Sequence, residues 1–487
     1  MSLKEKTAYI EKLRATSAHD TFIVAGQLQE DNVDPIDSWT LFQWMQKNGI
    51  PSKYIVKEND SFYDKTVKGR ITKDIIVLKD LNAGISLLDH PDIWARACAF
   101  IVEWDLGGTE VDRWLYLLED CRYVFLQHGI VGRTYCSTVM YPCHDIFNDV
   151  NVSSQKEKEL IEQGSYYNRC FIAGLPRFSL FDKTNNTGTD ETKTVFVMFT
   201  WRQRLSDKPS TLQDSLYWQQ IKKLLCDKNI KRLQSKKIKI VAALHHSLIK
   251  NIKSSLTLNP QLEFVSQDKI SYWTNHADAM VTDFSSASFD FLFQNKPVIY
   301  WIPDKNDDSY EKNGHDMEKI QNAIKCQKDF FNIIDSAEDV VRKLEDYAER
   351  KFILEKEHRE KAGIWFKYRD DFSLRIYQNI KQRLADEKFY TQPTKTVLNN
   401  VKEQLKDTLR INAEYNNIIK EERTAHKYFE SREAEANERV KTLEVRIQEL
   451  DALRREETRR MRRKRNIFIY LTAALLITNI AYIILHH

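Results

Sequence analysis

The sequence lacks the marks of a secreted protein and of a nucleic-acid-binding protein. Its seven cysteines are scattered without a CxxC pair, which fits reduced thiols better than a disulfide framework. The opening stretch MSLKEKTAYIEKLRATS is charged and has no apolar core, so it is not typical of a secretory signal. The formal net charge of +4 is mild, and no zinc-finger spacing or RNA-reading motif is present. We therefore expect a protein of the cell interior that binds no nucleic acid.

Glycine and proline are absent from residues 398–450, where charged residues are frequent. Apolar residues recur there at alternating spacings of three and four, without interruption from Ala436 to Leu450. This heptad pattern predicts a coiled coil over residues 396–466, through which the chain would form a homo-oligomer. A single solvated helix is the alternative.

Charge is absent from residues 467–485, IFIYLTAALLITNIAYIIL. This run is long enough to cross a bilayer core as a helix, and a buried core helix is the alternative. The cations of RRMRRKR at 459–465 precede the run, and such clusters stay on the cytoplasmic side, near anionic lipid headgroups. We predict a single-pass C-terminal transmembrane anchor that holds the protein at the cytoplasmic face of the cell membrane.

The first 390 residues alternate between apolar, strand-like runs and helical patterns, the latter for example at 39–47 and 217–226. This alternation predicts an α/β fold with parallel sheets built from βαβ units. A polar stretch at 182–193 has the composition of a linker and would divide the region into two similar halves. The strand-like runs include TFIVA at 21–25, DIIVL at 74–78, YVFL at 123–126, TVFVMF at 194–199, IKIVAAL at 238–244, AMVT at 279–282 and PVIYW at 297–301.

The first segment that could take part in catalysis is the pair His128–Gly129, which follows the run YVFL. Open α/β sheets bind ligands at the carboxyl ends of their strands. Glycine permits a tight turn or a close backbone approach, and a neutral imidazole can take a proton from an alcohol near pH 7. An ordinary turn is the alternative.

Two further segments also follow strand-like runs. His245 and His246 come after IKIVAAL, where one of them could face phosphate groups; a surface histidine pair is the alternative. Ser285 and Ser286 follow AMVT and a Thr-Asp-Phe sequence, at a place where a helix would begin. Free backbone N–H groups and the helix dipole there suit a pyrophosphate, and an ordinary N-cap is the alternative.

Other motifs accompany these three segments in a fixed order along the chain. They are SWTLFQWMQKNGIPSKYI at 38–55, VSS at 152–154, GLPR at 174–177, TWR at 200–202 and NKP at 295–297. The ordered set, from about residue 20 to 380, resembles the CDP-glycerol glycerophosphotransferase family of teichoic-acid and capsule polymerases.

The resemblance implies two Rossmann-like domains of the GT-B type, an acceptor-side domain over 1–185 and a CDP-donor-binding domain over 186–390. It implies an enzyme in which an acceptor hydroxyl attacks the phosphorus that carries the polyol, and CMP leaves. The donor would be CDP-glycerol or CDP-ribitol, and the acceptor lipid-linked or a polymer. A sugar-nucleotide-dependent GT-B glycosyltransferase and an inactive membrane coiled-coil scaffold are the alternatives.

The resemblance also implies roles for individual side chains. His128 matches the family's His-Gly base, and His245 matches a second histidine that binds or protonates the donor phosphates. His246 stands where the family usually has proline, which leaves His245 versus His246 open. No acidic metal-binding motif is evident, so no metal ligand is predicted, and assistance by Mg²⁺ is left open. The predicted donor-phosphate-binding residues are Thr282, Ser285, Ser286, Arg177 and Arg202, supported by Gly129, Asp283 and His246.

Overall fold

The computed structural model of this chain describes most of residues 3–385, and residues 441–442. The predicted coiled coil at 396–466, apart from those two helical residues, and the predicted anchor at 467–485 lie outside the described residues. The gaps within 3–385 are 27–34, 59–61, 71, 79–90, 104–120, 133–146, 165–169, 182–191, 201, 203, 206–211, 244–261, 266–268, 309, 311–314 and 326–332.

Seven parallel strands form the first sheet, in the order β3-β2-β1-β4-β5-β6-β7. Their residues are almost all buried, as expected for a parallel sheet with both faces covered. The strands are β1 (Thr21–Ala25), β2 (Ser52–Lys57), β3 (Ile75–Leu78), β4 (Ala97–Val102), β5 (Arg122–Phe125), β6 (Asp149–Val152) and β7 (Cys170–Ile172).

Five parallel strands form the second sheet, in the order β10-β9-β8-β11-β12. A parallel bridge between Trp301 and Ile334 extends its β12 edge. The strands are β8 (Lys193–Met198), β9 (Ile238–Ala243), β10 (Glu263–Val265), β11 (Ala279–Thr282) and β12 (Val298–Tyr300). The two sheets confirm the prediction of an α/β fold built on parallel strands.

Helices cover the faces of both sheets. Three short turns add to them, a π-helical turn at Tyr63–Val67 and 3₁₀ turns at Lys68–Arg70 and Pro176–Leu180. The α-helices are α1 (Leu3–Thr16), α2 (Ile36–Lys47), α3 (Pro91–Arg96), α4 (Gln155–Gly164), α5 (Leu216–Leu224), α6 (Asp227–Ser235), α7 (Ile270–His276), α8 (Ala287–Phe293), α9 (His315–Lys325), α10 (Ala337–Glu349), α11 (Lys356–Gly363) and α12 (Phe372–Ala385). No helix among these described segments is long and apolar enough to cross a membrane.

Each sheet has a hydrophobic core on both faces, because successive strand residues point to opposite sides. In β1, Phe22 and Val24 join one core, and Ile23 and Ala25 join the other. In β8, the same alternation separates Val195 and Val197 from Phe196. Because the strands of each sheet are parallel, their carboxyl ends lie at one edge, where loops can assemble a site.

Helix α12 returns from the second sheet to the first. By sequence it lies in the expected 186–390 domain, but Ile376 and Ile380 pack in the same core as Phe22. Arg383 Nη1 donates to Asp149 Oδ1 at 2.7 Å. The chain therefore crosses between the two sheets twice, once after β7 and once before α12.

Candidate active site at the junction of the two sheets

The predicted pair His128–Gly129 lies at the carboxyl edge of the first sheet, directly after β5. The chain leaves the strand through Leu126, whose N–H donates to the carbonyl of Val102 at 2.7 Å. Gln127 then adopts a positive φ of 66°, which turns the chain away from the strand direction. His128 is half-buried and Gly129 is buried.

The buried carboxylate of Glu157, in the first turn of α4, supports the His-Gly loop. It accepts hydrogen bonds from the backbone N–H groups of Val131 and Ser153, each at 2.7 Å, and from Gln127 Nε2 at 3.3 Å. Burial raises the pKa of Glu157 to about 7, although all three donors oppose the rise. Glu157 was not among the predicted site residues.

The predicted segment from Thr282 to Ser286 lies at the carboxyl edge of the second sheet, after β11. Asp283 is fully buried and accepts hydrogen bonds from the N–H and hydroxyl of Thr200 at 3.0 and 2.8 Å, and from the Phe284 N–H at 2.7 Å. It therefore joins the loops that follow β8 and β11. Thr282 was expected to bind donor phosphate; it has no exposed surface at the strand end, and the phosphate-binding role stays a prediction.

Ser285 and Ser286 are half-buried at the start of α8. Ser286 is the N-cap residue, but its side chain makes no capping hydrogen bond. The Ser285 hydroxyl accepts from the Ala287 N–H at a long 3.4 Å, while the turn itself is closed by the Ser288 N–H bonding to the Ser285 carbonyl at 3.1 Å. An ordinary N-cap therefore does not account for both hydroxyls.

The His-Gly loop of the first sheet touches the Ser-Ser segment of the second sheet. A Cβ atom on Gly129 would lie 2.5 Å from Ser286 Oγ and 2.7 Å from Ser286 Cβ, closer than such atoms approach. Glycine is thus needed here, because any side chain would push the two segments apart. The contact brings together three residues that the sequence analysis assigned to one site, namely His128, Gly129 and Ser286.

Arg177 follows β7 and donates hydrogen bonds to two buried carboxylates. Its backbone N–H and Nη1 donate to the two oxygens of Asp37 at 2.7 and 2.5 Å. Its Nε and Nη2 donate to Asp290 Oδ1 at 3.1 and 3.0 Å, and Nη1 also donates to the His128 carbonyl at 3.2 Å. Arg177 was expected to bind donor phosphate; its guanidinium is shared between two protein carboxylates, and the phosphate-binding role stays a prediction.

Three buried carboxyl groups surround Arg177, and the sequence analysis singled out none of them. Burial raises the pKa of Asp37 and raises the pKa of Asp290 to about 6, with the Arg177 charge opposing both shifts. Glu103, at the carboxyl end of β4, accepts from the Ser38 N–H at 2.9 Å. Burial, with a contribution from the neighbouring Asp37, raises the pKa of Glu103 to about 8. Near pH 7 most Glu103 side chains are therefore protonated and neutral.

Burial, together with the positive charge of Arg177, lowers the pKa of His128 to about 4. The imidazole is therefore neutral near pH 7, which is the state that a general base requires. An anionic ligand beside the ring would raise this pKa again, because a nearby negative charge favours the protonated imidazole. The surroundings of His128 thus suit proton uptake in the presence of a phosphate ligand.

Arg202 is fully enclosed within the second sheet's loops. Its Nε and Nη2 donate to the two oxygens of Asp304 at 2.8 and 2.7 Å, and Nη1 donates to Asp283 Oδ2 at 2.9 Å. The guanidinium carbon lies 4.8 Å from the ring centre of Tyr217 and 4.7 Å from that of Phe284. Arg202 was expected to bind donor phosphate; it has no exposed surface and supports these loops, and the phosphate-binding role stays a prediction.

Some predicted features cannot be placed. His245 and His246 lie outside the described residues, so their roles stay predictions. Within the described part of the chain, no group of three or more His, Cys, Asp or Glu side chains is arranged to hold a metal ion. A cavity of about 550 Å³ lies between α5, the start of α10 and the loop after β12, and none of the predicted site residues lines it.

The fold and the site define a class: an α/β protein with two parallel sheets, whose strand-end loops meet at one junction. Residues 144–382, just under half of the chain, match the family model described as CDP-Glycerol:Poly(glycerophosphate) glycerophosphotransferase. This part of the chain is similar to that family, which confirms the resemblance found in the motifs.

A curated relative and a solved fold agree with this assignment. The minor teichoic acid biosynthesis protein GgaB of Bacillus subtilis (strain 168) is 25% identical over 411 residues, which are 78% of this chain and 42% of GgaB. The chain thus spans less than half the length of that relative. The structure of the wall teichoic acid polymerase TagF superposes with a TM-score of 0.53 at 15% identity, covering 79% of this chain and 95% of TagF. At this identity the superposition shows the fold alone.

Proposed function

We propose that this chain transfers glycerol phosphate, or a similar polyol phosphate, from a CDP-activated donor to a hydroxyl of a teichoic-acid-like or capsule polymer. One observation carries the proposal. The His128–Gly129 loop of the first sheet lies in contact with Ser286 of the second sheet, so a candidate base and a candidate phosphate-binding segment share one junction. The family match over residues 144–382 supplies the substrate class.

The proposed step is a displacement at the phosphorus that carries the polyol. His128 accepts the proton of the acceptor hydroxyl, and the oxygen forms a bond to that phosphorus. The bond between the phosphorus and the bridging oxygen breaks, and its electron pair leaves with CMP. The hydroxyls of Ser285 and Ser286 and the backbone N–H groups beside them bind the donor phosphates and stabilise the charge that develops.

The donor itself would prepare the base. Free His128 has a pKa lowered to about 4, which makes it a weak base. The diphosphate of the donor brings negative charge next to the ring and raises the pKa toward the working pH. Proton uptake is then favoured only when the donor is in place, which limits unproductive chemistry in its absence.

The second histidine belongs to the same proposal. His245 comes two positions after the end of β9 in the sequence and lies outside the described residues. We expect His245→Ala to lose most CMP release and His246→Ala to lose little, measured side by side. The reverse ranking would assign the family's second histidine to His246.

Membrane attachment forms a separate part of the proposal. The heptad pattern at 396–466 and the uncharged run at 467–485 support a homo-oligomer that a C-terminal helix anchors at the cytoplasmic face of the cell membrane. A chain ending at residue 395 should then leave the membrane fraction and keep activity on a soluble acceptor. A well-folded truncation without any activity would contradict this separation of anchor and enzyme.

CMP release from CDP-glycerol, with a membrane extract as acceptor, tests the central reaction. We expect His128→Ala to lower the rate by roughly 100- to 10,000-fold, the usual contribution of a general base. His276→Ala, which removes an exposed histidine on α7, is the matched control and should leave the rate unchanged. Folded protein that releases no CMP from CDP-glycerol or CDP-ribitol would refute the proposal and favour the sugar-nucleotide reading.

A further inference from the structure

Arg177 joins the two sheets at the point where the candidate base and the serine segment meet. One of its carboxylate partners, Asp37, lies at the start of α2, which packs on the first sheet. The other, Asp290, lies on α8, which follows the second sheet's strand β11. The side chains of these carboxylates are 0% and 8% exposed, so the three charges interact largely away from water. We name Asp37, Arg177 and Asp290 the Arg177 cluster.

We propose that the Arg177 cluster is a positioning device, which fixes the distance and orientation of His128 relative to Ser285 and Ser286. In this assignment Asp37, Arg177 and Asp290 touch neither donor nor acceptor. The inference rests on the proposed function, because it concerns the alignment of the base with the donor phosphates of that reaction.

The contacts of the Arg177 cluster reach both reacting segments. On the first sheet, Arg177 Nη1 donates to the carbonyl of His128 itself at 3.2 Å. Arg177 Nη2 lies 4.0 Å from the position that a Cβ on Gly129 would take. The guanidinium therefore holds the backbone of the His-Gly loop directly.

On the second sheet, Asp290 and Ser286 are four residues apart at the start of α8. Residues at this spacing lie on the same side of a helix, one turn apart. The position of Asp290 beside Arg177 is therefore linked to that of Ser286 through the first turn of α8. One side chain, Arg177, is bonded to the base loop and, through one helical turn, to the serine segment.

The charge balance favours a tight ion pair. Near pH 7 the largely protonated Glu103 adds little negative charge, since burial raises its pKa to about 8. Arg177 then faces two carboxylates, and its fork donates to both with distances of 2.5–3.1 Å. Nε and Nη2 share one oxygen of Asp290 while Nη1 bonds to Asp37, so the buried guanidinium is held from both sheets at once.

Apolar contacts that do not involve the Arg177 cluster also cross the junction. Phe178 stacks on Phe293 with ring centres 4.2 Å apart, and Phe372 packs edge-on against Phe178. A variant that weakens the ion pair keeps these contacts. Loss of activity in a folded protein can therefore be attributed to geometry.

The test compares two buried aspartates that each pair with arginine. Asp290→Asn removes charge from the Arg177 cluster, and Asp290→Glu keeps the charge but lengthens the side chain. The matched control is Asp149→Asn, whose carboxylate binds Arg122 and Arg383 at the start of β6, the opposite edge of the first sheet. For each variant we would measure the melting temperature, and kcat and KM for CMP release from CDP-glycerol.

We expect Asp290→Asn and Asp290→Glu to lower kcat by roughly 10- to 100-fold, the effect of a misplacement near 1 Å, with little change in KM. Asp149→Asn should lower the melting temperature and leave kcat unchanged. The proposal is overturned if both Asp290 variants fold and keep the wild-type kcat, or if Asp149→Asn lowers kcat as much as they do. Absence of CMP release in the wild type would instead refute the proposed function, so the two failures are distinguishable.

Discussion

Two buried arginines, Arg177 and Arg202, look alike in the sequence and differ in what they connect. Both lie in motifs of the family, and both were expected to bind donor phosphate. In the structure each guanidinium is held by two protein carboxylates. All carboxylate partners of Arg202 belong to loops of the second sheet, whereas those of Arg177 come from both sheets.

This difference assigns the stability of the second sheet's loops to Arg202 and the alignment of the two sheets to Arg177. Arg202 ties the loops after β8, β11 and β12 to one another through Asp283 and Asp304, so it maintains the shape of one sheet's edge. Arg177 connects that edge to the His-Gly loop of the other sheet. We therefore expect substitutions at Arg202 to act on folding and substitutions around Arg177 to act on catalysis.

The largest expected effect comes from Arg202→Met. Two fully buried carboxylates would lose their counter-ion, which costs roughly 3–5 kcal/mol of unfolding free energy. Urea unfolding of the chain measures the loss. Arg232→Met is the control, because Arg232 forms ion pairs with Glu338 and Glu345 at the protein surface and should change stability little. Equal losses of unfolding free energy in Arg202→Met and Arg232→Met would contradict the structural role of Arg202.

Gly129→Ala tests whether the contact between the His-Gly loop and Ser286 aligns the reacting groups. The new methyl group would lie 2.7 Å from Ser286 Cβ, so the two segments must separate. We expect kcat for CMP release to fall roughly 10- to 100-fold, with the fold intact. Gly69→Ala is the control, since nothing lies within 4 Å of that position. An unchanged kcat in Gly129→Ala would show that the contact with Ser286 has no part in the reaction.

Glu157→Gln tests the carboxylate that supports the His-Gly loop of the first sheet, as Arg202 supports the loops of the second sheet. Both carboxylate oxygens of Glu157 accept hydrogen bonds, so an amide would turn an NH₂ group toward a buried N–H donor. We expect a loss of roughly 1–3 kcal/mol in unfolding free energy, the cost of a buried unsatisfied group. Urea unfolding provides the measurement. Stability equal to the wild type would show that the loop does not rely on this carboxylate.

The smallest expected effect is a change in pH dependence at Glu103. Its folded pKa of about 8 lies above the ordinary value of 4.5, so between these pH values the folded state holds a proton that the unfolded chain has lost. The stabilising contribution is complete below pH 4.5 and is lost as pH rises through about 8. Glu103→Gln cannot titrate there, and its melting temperature should fall less than that of the wild type over this window. Parallel curves for the two proteins would contradict the raised pKa.

The fold class was predictable from the sequence because several strands are short apolar runs with helical patterns between them. The run TFIVA became β1 at Thr21–Ala25, and the helical pattern at 39–47 became α2, which begins three residues earlier at Ile36. Boundaries shifted by a residue or two where the flanking residues are also compatible with the element, as in β8 at Lys193–Met198. The heptad and anchor segments lie outside the described residues and stay predictions.

The site was predictable only in part. His128, Gly129 and Ser286 follow strands, so position in the chain indicates the sheet edge where they lie. The carboxylate partners of Arg177 and Arg202 could not be predicted, because they are 81 to 140 residues away in sequence. Glu103 and Asp290 were not predicted either, because the residues that they contact are also distant in the sequence. Burial, which decides whether an arginine is available to a ligand, is a property of the assembled loops.

Following both parts of the donor during the reaction tests the central claim most directly. CDP-glycerol would carry a radiolabel in the phosphate next to glycerol, and CMP and labelled polymer would be quantified from the same sample with wild-type protein and with His128→Ala. We predict that CMP and polymer-bound labelled phosphate appear in equal amounts with the wild type, and that the substitution removes both together. Polymer that gains no labelled phosphate, or label transfer that persists at the wild-type rate without His128, would contradict the account.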